Sequence, residues 1–252
     1  MTVPIRAQAS PLVSARTARL GERSVVLATV SPDTAEPALT IADGATLAAA
    51  IRSARDQRLP FVGVLQTTGV PFDEGIGGSD SWARAARELV LSSGVIPTMF
   101  TACGPVVSGP ALLLGLADVT IFTENAYAYV TGPKSVEAYT GVPVSGSELG
   151  GASAHLRSTG VASMVVPDVD AALEAIADVL VYLPNSVDSL PEPLPTDDPV
   201  DRETPEAGEL LPDSAAGSYD VRALIRILAD DDDFLELRGA GAPNLVTGFA
   251  SL

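Results

Sequence analysis

The feature that most limits what this chain can fold into is an alternation. RSVVLATV (Arg23–Val30), LPFVGVLQ (residues 59–66), GVIPTMFTA (residues 94–102) and DVTIFTE (residues 118–124) are short runs rich in β-branched and aromatic residues, and they predict strands. GATLAAAIRSARDQ (residues 44–57) and SDSWARAARELVLSS (residues 79–93) lie between them with helical spacing. The first places Leu47, Ala50, Ile51 and Ala54 on one face; the second carries Trp82, Ala86, Leu89 and Val90, with Ser79 or Asp80 as its cap. The strands are apolar on both faces, so helices must cover both sides of the sheet. That predicts an α/β fold with a mostly parallel sheet, whose ligands bind beyond the strand C-termini.

Residues 168–183 predict a further helix, with Val169, Leu173, Ile176 and Leu180 on one face. The character then changes. Residues 187–218 hold six prolines and nine acidic residues against one arginine, which is the composition of an extended connector and not of a core. YDVRALIRILADDDDFLEL follows, with Val221, Leu224, Ile225 and Leu228 at helical spacing and the DDDD run as the solvated helix end. The domain reading is therefore a flexible arm over residues 1–22, one folded domain over 23–186, the connector over 187–218, and a C-terminal helix and strand over 219–252 that pack on the same domain. No internal repeat is present.

Acidic residues outnumber basic ones 32 to 15, for a net charge of −17. Such a chain lacks the basic surface that a nucleic acid or an anionic membrane requires. Cys103 is the one cysteine, which excludes an internal disulfide and fits the reducing cytoplasm. One histidine and one cysteine predict no metal site. The opening MTVPIRAQASPLVSARTARLGERS lacks the apolar core of a signal peptide, and no apolar run is long enough for a membrane span.

Three glycine-containing turns follow strands and lead into helices: QTTGVPFDEGIGG, ACGPVVSGPA and YVTGPKSVEAYTG. Helix N-termini carry free N–H donors and a partial positive charge, which can hold a developing oxyanion. Glycines in these places also serve simply to make tight turns, and both readings stand at this point.

The order of several motifs is more specific. SGVIP, GPVVSGPALLLGLADV, TGP, ELGGASAHLRSTGVA and YLPNS, followed by DPVDR, YDVRALI and NLVTGFASL, make residues 60–252 resemble the biotin-dependent acyl-CoA carboxyltransferases, such as the β subunits of propionyl-CoA carboxylase. The resemblance implies a crotonase-like ββα-superhelix of the ClpP/crotonase superfamily, here one domain with a C-terminal helical extension. It implies an acyl-CoA substrate and carboxybiotin carried on a partner protein. Members carry two such domains, and this chain resembles the N-terminal one. The partners implied are a C-domain-like carboxyltransferase subunit, a biotin carboxylase and a biotin carboxyl carrier protein, in a hetero-oligomer.

The resemblance also carries residue roles. A glycine pair opens the helix in GPVVSGPALLL in the family, and its N–H groups form an oxyanion hole for the thioester enolate. The matching positions here are Ser108 and Gly109, and Ser108 departs from the pattern. Pro110 has no N–H to offer. The TGP turn, Thr131, Gly132 and Pro133, matches a turn near the acyl group, with Pro133 suited to the first helical position. His155 matches a histidine that orients a loop or lines the site, with a purely structural histidine as the other reading. Glu148 reads as a cap or a pairing partner. The family turn SGGAR stands here as TTGVP, so Thr68, Gly69 and Val70 are the acyl-binding positions, without the arginine. A GGS-type loop is replaced by SPDTAEPALT. These departures leave open whether the thioester sits on CoA or on a carrier protein. Three further functions remain at this point: a malonyl-type decarboxylase subunit, a non-catalytic partner subunit, and a serine hydrolase with Ser108 as nucleophile and His155 as base.

Overall fold

The computed structural model describes residues 12–30, 38–199, 201–214 and 216–252. The start of the expected N-terminal arm and most of SPDTAEPALT lie outside the described residues.

The described residues begin with a hairpin. β1 (Val13–Leu20) pairs antiparallel with β2 (Arg23–Val30), in register from Val13 opposite Val30 to Leu20 opposite Arg23. Gly21 makes the turn at φ +54°. Residues 13–20 are thus an edge strand, which corrects the reading of 1–22 as an arm. The run VSARTARL places Val13, fully buried, and half-buried Ala15 on the core side, and the pairing partner supplies the stability that its polar residues do not.

α1 (Ile41–Gln57) starts earlier than its apolar face, because Thr40 caps it. The Thr40 hydroxyl accepts the Asp43 N–H at 3.3 Å, and the Asp43 carboxylate accepts the Thr40 N–H at 2.8 Å. A reciprocal box of this kind is worth about 1 kcal/mol. Leu47, Ala50, Ile51 and Ala54 are all buried, as their spacing predicts. β3 (Phe61–Thr67) leads through a 3₁₀ turn at Phe72–Glu74 into α2 (Gly75–Ser92). Ser79 and Asp80 therefore lie inside this helix and are not its cap. Gly77 and Gly78 sit in its first turns because a Cβ on Gly77 would come 2.8 Å from Ile41 Cδ1, and one on Gly78 would overlap Val70. Tertiary contact overrides the poor helix propensity of glycine here. Ala85 and Leu89 are buried, whereas Val90 faces solvent.

β4 (Thr98–Val107) runs past its predicted end at Ala102. Met99–Ala102 pair with β5 (Val119–Thr123), and Pro105–Val107 pair with β6 (Tyr127–Tyr129). Opposite β3 the register jumps from Leu65/Ala102 to Thr67/Val106, so β4 carries extra residues at this bulge. Gly104 sits there, where a Cβ would come 2.9 Å from the Gln66 side chain. Between β4 and β5 a 3₁₀ helix spans Gly109–Leu116. Then follow α3 (Pro133–Thr140), α4 (Gly146–Gly150), α5 (Ala152–Ala154), a π-helical turn at His155–Thr159, β7 (Met164–Val166) and α6 (Val169–Val181), capped by Asp168.

The sheet order is β1-β2-β3-β4-β5-β7, with β6 beside β4, and every pair after the first is parallel. Neighbouring residues serve opposite cores. Val26, Phe61 and Phe100 face Ile51 and Leu89, while Val25, Val62 and Met99 face Ile176, Val179 and Leu180. This is the physical content of strands that are apolar on both faces.

Two polar clusters tie distant parts together. Arg23 donates to the carbonyls of Leu180 and Leu183 at 2.5 and 2.7 Å and to the Asn185 side chain at 2.7 Å. Glu88, 2% exposed, is surrounded by Arg52, Arg55 and Arg87 at 2.8–3.0 Å. Arg55 meets Glu88 Oε2 as a close ion pair and not as an aligned hydrogen bond. Burial raises the Glu88 carboxyl, but the hydrogen bond from Arg52 and the close positive charge of Arg52 and Arg55 outweigh it and hold the pKa below the usual carboxylate range.

Residues 187–199 are mostly exposed coil, and α7 (Pro205–Glu209) is a short helix within the expected connector. α8 (Val221–Leu228) precedes a two-stranded antiparallel hairpin of β8 (Phe234–Leu237) and β9 (Thr247–Ala250). Leu235, Leu237 and Phe249 pack against the α6 core, and the Tyr182 hydroxyl donates to Asp233 at 2.5 Å.

Candidate active site

The C-terminal end of β4 is the centre of the site. The chain leaves the strand at Ser108 with φ +66° and ψ −153°, a region of backbone space that belongs essentially to glycine. The turn is sharp for this reason, and the 3₁₀ helix starts at once. At its start the donors are few. The Ser108 N–H donates to the Tyr129 carbonyl at 3.0 Å as an extension of the β4–β6 ladder. Pro110 has none, and the Ala111 N–H returns to the Ser108 carbonyl at 3.1 Å. The Gly109 N–H is left without an acceptor among the described residues. The expectation of a two-donor backbone hole from Ser108 and Gly109 is corrected accordingly: of these two backbone N–H groups, that of Gly109 alone is free among the described residues.

The TTGVP turn lies against it. A Cβ on Gly69 would come 3.3 Å from Ser108 Cβ, and Gly69 holds φ +113°. The Thr67 hydroxyl fixes the turn, accepting the Gly69 N–H at 3.1 Å and donating to the Gly69 carbonyl at 3.0 Å. The Val70 N–H also has no acceptor among the described residues, and its side chain is seated over Gly78. Thr68 is exposed. The two turns thus bring Gly69, Val70, Ser108 and Gly109 into one place.

Trp82 completes the arrangement. A Cβ on Gly109 would overlap the indole at Cε2 and Nε1. The sequence places Trp82 only on the apolar side of α2; its contact with Gly109 is visible only once α2 crosses the end of β4.

The TGP turn follows β6. Gly132 caps α3 and Pro133 occupies its first turn, as its backbone preference predicts. Thr131 is exposed. A Cβ on Gly132 would stand 3.6 Å from the Tyr129 ring. Burial, with the neighbouring Tyr127, pushes the Tyr129 phenol up. Tyr127 and Tyr129 line a cavity of about 550 Å³ with Glu124, Asn125, Pro133 and Ser147.

His155 stands behind β6. Its Nε2 is 2.8 Å from the Ala128 carbonyl and its Nδ1 is 2.8 Å from the Thr159 hydroxyl. A carbonyl can only accept, so Nε2 carries a proton and donates. Both ring nitrogens are thus engaged away from Ser108, and the Ser108–His155 pairing that a hydrolase requires is not formed. Glu148 closes a capping box with Ser145, accepting the Ser145 N–H at 3.0 Å. Cys103 lies on β4 with its thiol pushed up to about 11 by burial, which keeps it protonated and unreactive near neutral pH. Among the described residues no cluster of three or more histidine, cysteine, aspartate or glutamate side chains is placed to hold a metal ion. No helix among them is long and apolar enough to cross a membrane.

Known proteins resemble this chain in sequence and in fold. The chain is 31% identical over 194 residues to the propionyl-CoA carboxylase β chain of Roseobacter denitrificans, covering 77% of this chain and 38% of that one. It is 33% identical over 192 residues to the methylmalonyl-CoA carboxyltransferase 12S subunit of Propionibacterium freudenreichii subsp. shermanii, covering 76% of this chain and 36% of that one. The chain therefore spans less than two-fifths of the length of these relatives. Among solved structures, the transcarboxylase 12S hexamer with hydrolysed methylmalonyl-coenzyme A superposes with a TM-score of 0.91 at 27% identity, over 96% of this chain and 47% of that one. A single-chain, multi-domain long-chain acyl-CoA carboxylase shares the fold, with a TM-score of 0.77 at 24% identity, over 96% of this chain and 24% of that one. The fold is thus the crotonase-like carboxyltransferase fold. With the carboxyl transferase domain matching residues 9–252, the chain belongs to the carboxyl transferase family.

Proposed function

We propose that this chain is the acyl-thioester-binding subunit of a split biotin-dependent acyl-CoA carboxyltransferase. The observation that carries the reading is the Gly109 N–H, which points from the tip of β4 with no acceptor among the described residues. A buried or half-buried amide without a partner is costly, and a ligand oxygen removes the cost. The Val70 N–H in the adjoining turn is a second donor of the same kind.

The chemistry follows from these groups. Loss of a proton or a carboxyl group at the α-carbon of an acyl thioester moves negative charge onto the carbonyl oxygen. Gly109 and Val70 hold that oxygen, and the charge it gains strengthens both hydrogen bonds as the enolate forms. Removing one such donor costs about 10²–10³ in kcat. Thr68 and the TGP turn, Thr131, Gly132 and Pro133, border the thioester. His155 fixes β6, and through it the Tyr129 carbonyl that occupies the Ser108 N–H. Carboxybiotin, carried by a partner protein, supplies the carboxyl group.

The partners are a C-domain-like carboxyltransferase subunit, a biotin carboxylase and a biotin carboxyl carrier protein, assembled in the cytoplasm. Phe72 and Ile76, 103% and 90% exposed, follow the TTGVP turn and support a covering subunit. The engaged ring of His155 weighs against the serine-hydrolase reading.

The test is calorimetric titration with acetyl-, propionyl- and malonyl-CoA, on the chain alone and mixed with a C-domain subunit from the same source. Binding that appears or tightens in the mixture is the expected result. No binding in a verified stable complex overturns the acyl-CoA reading.

A further inference from the structure

We propose that Trp82 sets the length of acyl chain that this half of the site admits, and so selects short acyl thioesters. The inference rests on the acyl-thioester reading above and names its specificity-determining residue.

Trp82 sits where residue 109 would otherwise have a side chain, its indole overlapping the Cβ position at Cε2 and Nε1. A thioester whose oxygen accepts the Gly109 N–H places its acyl carbons in the space around residue 109. The indole already closes one side of that space. The wall is also held firmly. α2 is anchored below it by Ala85 and Leu89, both buried, and above it by the seat of Val70 on Gly78 and the Ser81 hydroxyl donating to the Gly78 carbonyl at 2.7 Å. The helix that carries the indole is thus held on both sides of Trp82, and the wall can move only by rotation of the Trp82 side chain itself. It comes from this chain and not from a partner, so the limit it sets persists whatever subunit covers the site.

The chain has one tryptophan, so Trp82 alone reports on its own surroundings by fluorescence. The experiment titrates acetyl-, propionyl-, butyryl- and hexanoyl-CoA into wild type, Trp82→Phe, Trp82→Leu and Trp82→Ala, on the chain and on its complex with the C-domain subunit. Calorimetry gives affinities, wild-type emission gives contact, and melting curves show which variants are folded. The expected result is a wild type that prefers the two shortest chains and changes emission on binding them. Trp82→Ala and Trp82→Leu shift the hexanoyl-to-propionyl affinity ratio by about tenfold or more, the scale on which a pocket wall discriminates methylenes. Trp82→Phe keeps most of the bulk and most of the preference. An unchanged ratio in a folded Ala or Leu variant overturns the role of Trp82 while leaving the thioester site standing. Saturable binding with unaltered emission overturns it as well. If wild type binds no acyl-CoA in either form, both this proposal and the reading beneath it fail.

Discussion

The N–H of Ser108 is tied to the carbonyl of Tyr129 at 3.0 Å, while the N–H of Gly109, one residue later, has no acceptor among the described residues. One peptide unit thus separates a donor that holds the sheet together from a donor that is free for a ligand. Gly109→Pro deletes the second and leaves the first; its Cβ meets the Trp82 indole as that of alanine does, so Gly109→Ala is its control. We expect acyl-thioester turnover in the assembled complex to fall by about 10²–10³. Gly109→Ala keeps the N–H but drives a methyl group into the Trp82 indole. Overpacking of this sort costs about 1–3 kcal/mol. Trimming Trp82 to leucine in the same chain should recover that stability, and a double-mutant cycle of melting temperatures measures the coupling.

Ser108 holds a backbone conformation that glycine adopts freely and serine does not. Ser108→Gly should therefore raise the melting temperature. About 1 kcal/mol of relieved strain corresponds to roughly 2–4 °C for a domain of this size. A lowered melting temperature would mean that the Ser108 side chain makes a contact worth more than the strain.

With both nitrogens of His155, the one histidine of the sequence, engaged by Ala128 and Thr159, Ser108 has no histidine base. A serine-directed fluorophosphonate should leave the protein unlabelled in intact-mass spectra, with or without the partner subunit. A stoichiometric adduct on Ser108 would reinstate the hydrolase.

Glu88 predicts a pH dependence. Its carboxyl is held below the usual range in the folded chain by Arg52 and Arg55 against the opposing effect of burial. A depressed folded pKa contributes stability above the unfolded value of about 4.3, and that contribution fades as pH falls through the folded value. Glu88→Gln should therefore be less stable than wild type at neutral pH by about 3 kcal/mol, the low end for a broken buried pair. The low end applies because Arg52 and Arg87 are exposed enough to return to water. The gap should narrow only at pH below the ordinary carboxylate range. A gap that closes near neutral pH would assign the pH dependence to another group.

What the residues announced and what they concealed divides along physical lines. The parallel sheet was legible because strands such as Arg23–Val30 must bury both faces, and the α1 and α6 faces were legible because they repeat at helical spacing. The cap of α6 at Asp168 follows the same local rules. β1 was concealed because its polar residues hide an alternation, although a Gly-Glu pair before β2 marks a two-residue hairpin. The early start of α2 was concealed because Gly77 and Gly78 lower helix propensity, and only Ile41 and Val70 explain them. At the site, the motifs located Gly69, Val70, Ser108 and Gly109 in one family pattern. Which N–H was free depended on the pairing of β4 with β6, a long-range fact that no local motif records. Trp82 looked like an ordinary core residue for the same reason.

The Arg23 cluster has a consequence for how the chain is made. Arg23 begins β2, yet its acceptors at Leu180, Leu183 and Asn185 belong to the end of α6 and the segment beyond, up to 162 positions later. Chains emerge from the ribosome N-terminus first, at about 5–20 residues per second. The guanidinium that anchors β2 therefore waits roughly 8–30 seconds for its carbonyls to be synthesised. Until then the opening hairpin has no staple to the α6 side of the sheet, and it is in that interval that the nascent chain most needs protection from its neighbours.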